Sequence, residues 1–184
     1  MQKQLKKLPI FIFLMLHFSF LIVAFFENLE SIPSLLILAT VSLLLGFFYF
    51  KKFNSDRSRL KKIDILLILF TVIGAIATYW LNIEYYIGAV LAAGITGLIS
   101  SFLPFLNRKS DILRELPVAV YCGTFVGMTA PIIANGYFFI AIAGLFSGLL
   151  LIFSKDTLHG YGGKLGSVAF GGVALMSLIL FLFS

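Results

Sequence analysis

ELPVAVYCGTFVGMTAPIIANG, residues 115–136, is the stretch from which the fold is read. A helix needs about 20 mostly apolar residues to cross a bilayer, and this stretch is long enough. Glu115 and Pro117 lie at one end and Pro131 near the other. Between them is a run of small and weakly polar residues: Cys122, Gly123, Thr124, Gly127 and Thr129. A partly similar run, GSVAFGGVALMS (166–177), follows the glycine-rich segment 160–166.

The rest of the chain agrees with a membrane setting. Its 184 residues are 60% hydrophobic and only 12% charged, where soluble domains carry about 25% charged residues. A chain of this size cannot hide so much apolar surface from water, because small domains bury only part of theirs. The 21 Phe residues suit acyl chains and their edges. The expected fold is all-α, a polytopic membrane helix bundle of about seven transmembrane helices. The spans are 8–26, 33–50, 63–81, 85–106, 112–133, 137–153 and 165–184. The connections are too brief to form a soluble domain, so 1–184 reads as a single integral membrane domain of the cell (inner) membrane.

The amino-terminal apolar stretch 8–26 exceeds the 7–15 residues of a signal-peptide core. No small-x-small cleavage site follows it, and Glu27, Asn28 and Leu29 come next. It is expected to be a retained first span that directs insertion. Cys122 is the single cysteine, which excludes an intramolecular disulfide.

Orientation follows from charge, since Lys and Arg concentrate on the cytoplasmic side. With the amino terminus in the cytoplasm and the carboxyl terminus outside, all 14 Lys and Arg fall in inner segments. The outer segments carry Glu27, Glu30 and Glu84. A wrong span count would scatter the positives. The net charge of +6 therefore needs no nucleic acid. The most basic loop, 51–62, is either a topology determinant or a contact for a cytoplasmic partner or anionic lipid.

YIGAVLAAGITGLISSF (86–102) aligns without gaps with YFFIAIAGLFSGLLLIF (137–153). A parallel repeat of 86–133 in 137–184, as some transporters have, stands beside the plainer reading that apolar glycine-containing helices align easily. Spans one to three are bulky, whereas spans four to seven concentrate Gly, Ala, Ser and Thr. Small residues favour close helix contacts, so spans four to seven are expected inside and one to three toward lipid.

Few residues offer chemistry. His17 lies near mid-span and serves either as a relay or in a helix–helix hydrogen bond. Glu115 is either an interfacial ion-pair partner at a helix start or a mouth residue that contacts a cation. Pro117 is a first-turn proline or a kink, and Pro131 ends the span. Gly123-x3-Gly127 is a packing pattern. Alternatively, these glycines with Cys122, Thr124 and Thr129 line a path. HGYGG (159–163) shares three letters with potassium-channel filters, but it follows SKD on the inner side with no pore helix before it. It reads as a loop.

No catalytic, cofactor or metal motif is present, and the chain is not expected to be an enzyme. The leading expectation is a small transporter or channel-like protein for a small solute or ion, working as a homo-oligomer. Its candidate substrate or pore residues are Glu115, Cys122, Gly123, Thr124, Gly127 and Thr129. The alternative is a non-transporting scaffold or effector subunit acting through oligomerisation or a cytoplasmic partner.

Overall fold

The computed structural model describes residues 8–50, 62–155 and 163–183. Their regular elements are helices: α1 Leu8–Glu27, α2 Ile32–Phe50, α3 Lys62–Glu84, α4 Ala89–Ser101, α5 Leu103–Leu106, α6 Asp111–Gly127, α7 Pro131–Ala134, α8 Tyr137–Ser154 and α9 Lys164–Phe183. The basic loop at 51–61, the glycine loop at 156–162 and the amino-terminal lysines lie outside the described residues. Two compact units are found, Met1–Arg57 and Ser58–Ser184.

The first unit is a helical hairpin. Asn28 ends α1 by donating its side-chain amide to the Ala24 carbonyl at 2.9 Å. This satisfies one of the orphan carbonyls of the last turn. Ser31 then starts α2, with its hydroxyl 2.9 Å from that of Ser34. Apolar stretches His17–Glu27 and Ile32–Leu44 run along the two helices.

In the second unit four stretches are long and apolar enough to cross a membrane: Asp64–Glu84, Ala89–Leu106, Tyr137–Ser154 and Lys164–Phe183. Helices α3 and α6 form the central pair. Helix α8 packs on α3 and α9, while α4 lies against α6 and α3. The third span, expected among the lipid-facing group, is instead at the centre of this unit. Its Thr71, Gly74, Ala75 and Thr78 are buried, and these small side chains let α6 approach.

The distribution of side chains is the reverse of a soluble protein's. Among the described residues the fully enclosed side chains are small or medium-sized, led by Ile140, Val126 and Val168, with Phe139 and Tyr79 the bulky exceptions that are nearly buried. Trp80, Leu98, Phe138 and Phe181 face outward. Small residues bring helices together while bulky ones meet lipid tails. The apolar helices therefore suit contact with a bilayer, as in an integral membrane protein.

Several boundaries differ from the sequence expectation, each for a local reason. Helix α3 runs through 82–84, and the turn falls at 85–88, where Tyr86 (φ 52°) and Gly88 (φ 86°) adopt left-handed backbone. Pro104 lacks the N–H that would continue α4, so the helix breaks at Phe102 and restarts as α5. The fifth span is not one helix over 112–133. Helix α6 ends at Gly127, residues 128–130 turn, and Pro131 starts the short α7. Pro117 lies inside α6, not in its first turn, because Ser110 caps the helix further back by accepting a hydrogen bond from the Leu113 N–H at 3.4 Å.

The two glycines aligned by the internal similarity meet different neighbours. A Cβ at Gly97 would lie 2.9 Å from the Tyr121 ring, whereas one at Gly148 would lie 2.9 Å from the Ile68 backbone.

Candidate functional site

Helix α6 presents two opposed stripes. Leu116, Val120, Gly123 and Gly127 recur at helical spacing, as do Arg114, Val118, Tyr121 and Phe125. The stripes are offset by two residues, which at 3.6 residues per turn is roughly 200° around the helix. The first is a contact seam with α3. A Cβ added at Gly123 would run into the Thr71 carbonyl, and one at Gly127 into the Ala75 carbonyl. From the other side, a Cβ at Gly74 would lie 2.5 Å from the Val120 carbonyl oxygen.

The second stripe lines a cavity of about 770 Å³. Its other walls are Leu67 of α3, Leu151, Ile152 and Lys155 from α8, and residues 163–166 at the start of α9. The walls along its length are apolar. Tyr121 and Phe125 meet edge to face with ring centres 5.1 Å apart. Gly97 of α4 leaves room for the Tyr121 ring.

Charge is confined to the mouth. Lys155 Nζ donates to Glu115 Oε2 and lies 3.9 Å from Asp64 Oδ1. One ammonium thus ties α8 to α6 and α3. Asp64 is buried at the start of α3, while Lys155 and Glu115 are each about one-third exposed. Lys164 Nζ donates to the Lys155 carbonyl at 3.1 Å, which satisfies a backbone acceptor where α8 ends. The first turn of α9 also faces this mouth. Ser167 N–H bonds to the Gly163 carbonyl, so the amides just before it have no partner within the helix. That end carries the positive pole of the helix dipole.

The other end of the unit is built differently. Tyr137 donates its hydroxyl to Glu84 Oε1 at 2.9 Å, and its ring meets that of Tyr79 edge to face at 5.2 Å. The antiparallel helices thus gather the basic residues at one end and Glu84 at the other.

Of the six residues singled out in the sequence, Glu115 alone lines the cavity. Its ion pair is with Lys155, forty residues away, not with the adjacent Arg114. Cys122 is buried between α6 and α9, with its thiol 3.7 Å from the Leu165 carbonyl. Gly123 and Gly127 are in the α3 seam. Thr124 is buried and donates its hydroxyl to the Tyr121 carbonyl at 2.8 Å. Thr129 lies beyond the end of α6, its hydroxyl donating to the Val126 carbonyl at 2.6 Å. His17 is half-buried in α1.

Sequence reasoning missed Arg114, Lys155 and the Val118–Tyr121–Phe125 stripe. The recurrence at four, seven and eleven residues from Arg114 was available as a signal. Its opposition to Lys155 and Lys164 required the fold. The chain matches no family model, no curated protein and no solved structure.

Proposed function

We propose that the chain is a seven-span protein of the cell membrane that takes up a small molecule through the cavity beside Glu115 and Lys155, as a carrier open to the cytoplasm would. The amino terminus lies in the cytoplasm and the carboxyl terminus outside, by the positive-inside rule. This orientation puts the charged mouth at the cytoplasmic face. The observation that carries the proposal is the cavity itself, which opens at the basic end of α6 and runs between apolar walls that include Val118, Tyr121 and Phe125, with its charged residues at the mouth. A concave, mostly apolar site with a few convergent polar groups is the form that small-molecule sites take. The route runs along the Arg114–Phe125 stripe rather than along the glycine face.

A non-transporting scaffold is the second reading, favoured by the same backbone-to-backbone seam at Gly123 and Gly127. Two cysteine variants separate them. Gly166→Cys projects into open space beside the mouth, and it should react with an impermeant thiosulfonate in inside-out vesicles but not in right-side-out ones. Phe125→Cys lies at the deep end of the groove and should react slowly from the outer face if the unit alternates. Native Cys122 is buried and gives a low background. Reaction of Gly166→Cys from neither side would remove the carrier reading. Complete protection of Phe125→Cys from the outer face beside a reactive Gly166→Cys would leave a static binding scaffold.

A further inference from the structure

We infer that the occupant of this cavity is one phospholipid of the inner leaflet with a net negative headgroup, seated with an acyl chain along Val118, Tyr121 and Phe125. The inference rests on the cavity being a ligand site, and it names the class of ligand.

Three independent features converge on it. The first is depth. Arg114 and Phe125 are eleven residues apart on one helix, which at 1.5 Å per residue is roughly 16 Å. The hydrocarbon core of a bilayer is about 30 Å thick, so the groove is about one leaflet deep. The second is its side opening. Val118, Tyr121 and Phe125 line the cavity and yet are 47%, 45% and 37% exposed. An acyl chain can therefore enter sideways from the leaflet without crossing the mouth. A volume of about 770 Å³ is within the range of about 300–1,000 Å³ usual for ligand sites, and the open side lets the remainder of a lipid stay in the bilayer.

The third is charge. The mouth presents Arg114, Lys155 and Lys164 against the carboxylates of Glu115 and Asp64. Glu115 and Asp64 are both engaged with Lys155. Arg114 has no ion pair among the described residues. Lys164 donates to the Lys155 carbonyl and adds its positive charge to the mouth. The positive start of α9 adds to the same mouth. A guanidinium and an ammonium at the depth of the headgroups, above an apolar groove, match a phosphate ester carrying an acyl chain. A neutral amphiphile would leave the Arg114 guanidinium unused. A free anion would leave the groove unused.

The test uses the full-length protein, purified in a neutral detergent and exposed to equimolar phosphatidylglycerol and phosphatidylcholine, with retained lipid counted by native mass spectrometry. The wild type should hold one phosphatidylglycerol per chain with about tenfold preference, the factor that corresponds to about 1.4 kcal/mol. The pair Arg114→Gln with Lys164→Gln should bring the preference close to parity. Gly166→Leu, whose side chain grows into open space, should lower retention at an unchanged thermal midpoint. Equal retention of both lipids by the wild type would overturn the inference, as would a preference unaffected by the charge variants. Displacement of the lipid by millimolar inorganic phosphate or glycerol phosphate would overturn it in favour of a soluble anion. In any of these cases, labelling of Gly166→Cys from the cytoplasmic face would still stand for the cavity. Loss of that labelling would remove both.

Discussion

At the scale of single residues, the glycines of this chain do opposite things according to what lies beside them. Gly123 is in contact with backbone, and a methyl group there would collide with the Thr71 carbonyl. A carbonyl held in a helix cannot swing aside as a side chain can. Overpacking of this kind costs about 1–3 kcal/mol, so Gly123→Ala should lower the thermal midpoint in detergent. Gly94 has nothing within 4 Å of the corresponding position, and Gly94→Ala should leave the midpoint unchanged or raise it, since alanine is the better helix former. Equal losses at the two positions would mean that α3 and α6 are not in contact at Gly123. The spacing of Gly123 and Gly127 was legible as a packing motif. Which helix fills it was not, because a small residue marks a close approach without naming the partner.

At the scale of elements, Lys155 holds three helices at one point. It extends from the end of α8 to Glu115 on α6 and Asp64 on α3. The two carboxylates differ in their surroundings, Asp64 being buried and Glu115 about one-third exposed. A partly exposed ion pair is worth less than about 1 kcal/mol, so Glu115→Gln should change stability little. Lys155→Met removes a partner from the buried carboxylate as well, and leaving such a group under-satisfied costs about 1–3 kcal/mol. Denaturation of both variants by a graded ionic detergent should therefore rank Lys155→Met well below Glu115→Gln. The reverse ranking would show that Asp64 gains nothing from Lys155. Element ends were less legible than element cores. Pro104 and Pro131 both mark breaks, but α6 stops at Gly127, before Pro131, and Pro117 is accommodated inside a helix. Proline removes a donor, and whether that ends a helix depends on what else supports the turn. Here Ser110 and the flanking helices do so.

At the scale of the molecule, the expected topology is seven spans with the termini on opposite sides. Alkaline phosphatase fused after Asn135 or after Ser184 should be active, and a fluorescent protein fused after Ser55 should be bright inside the cell. An inactive phosphatase at Ser184 beside an active one at Asn135 would mean that the segment 137–184 crosses an odd number of times. The alternation of apolar stretches was enough to point to an all-helical chain suited to a membrane, and the expected order of its ends rests on placing all 14 Lys and Arg on one side. Those properties come from the cost of placing charge and unpaired backbone in hydrocarbon, which acts on each segment by itself.

The site depended on more than that. The sequence pointed to the small-residue face of α6 as the path, whereas the fold fills that face with α3 and opens the opposite one. Both stripes on α6 have helical spacing, and composition alone does not say which is met by a neighbour. Arg114, Glu115, Lys155 and Lys164 come from three helices separated in the chain by a turn and by the glycine loop. Their convergence around one cavity was decided only when α3, α6, α8 and α9 packed, because the interaction that selects neighbours is close contact between surfaces, a property of pairs of helices rather than of any one of them.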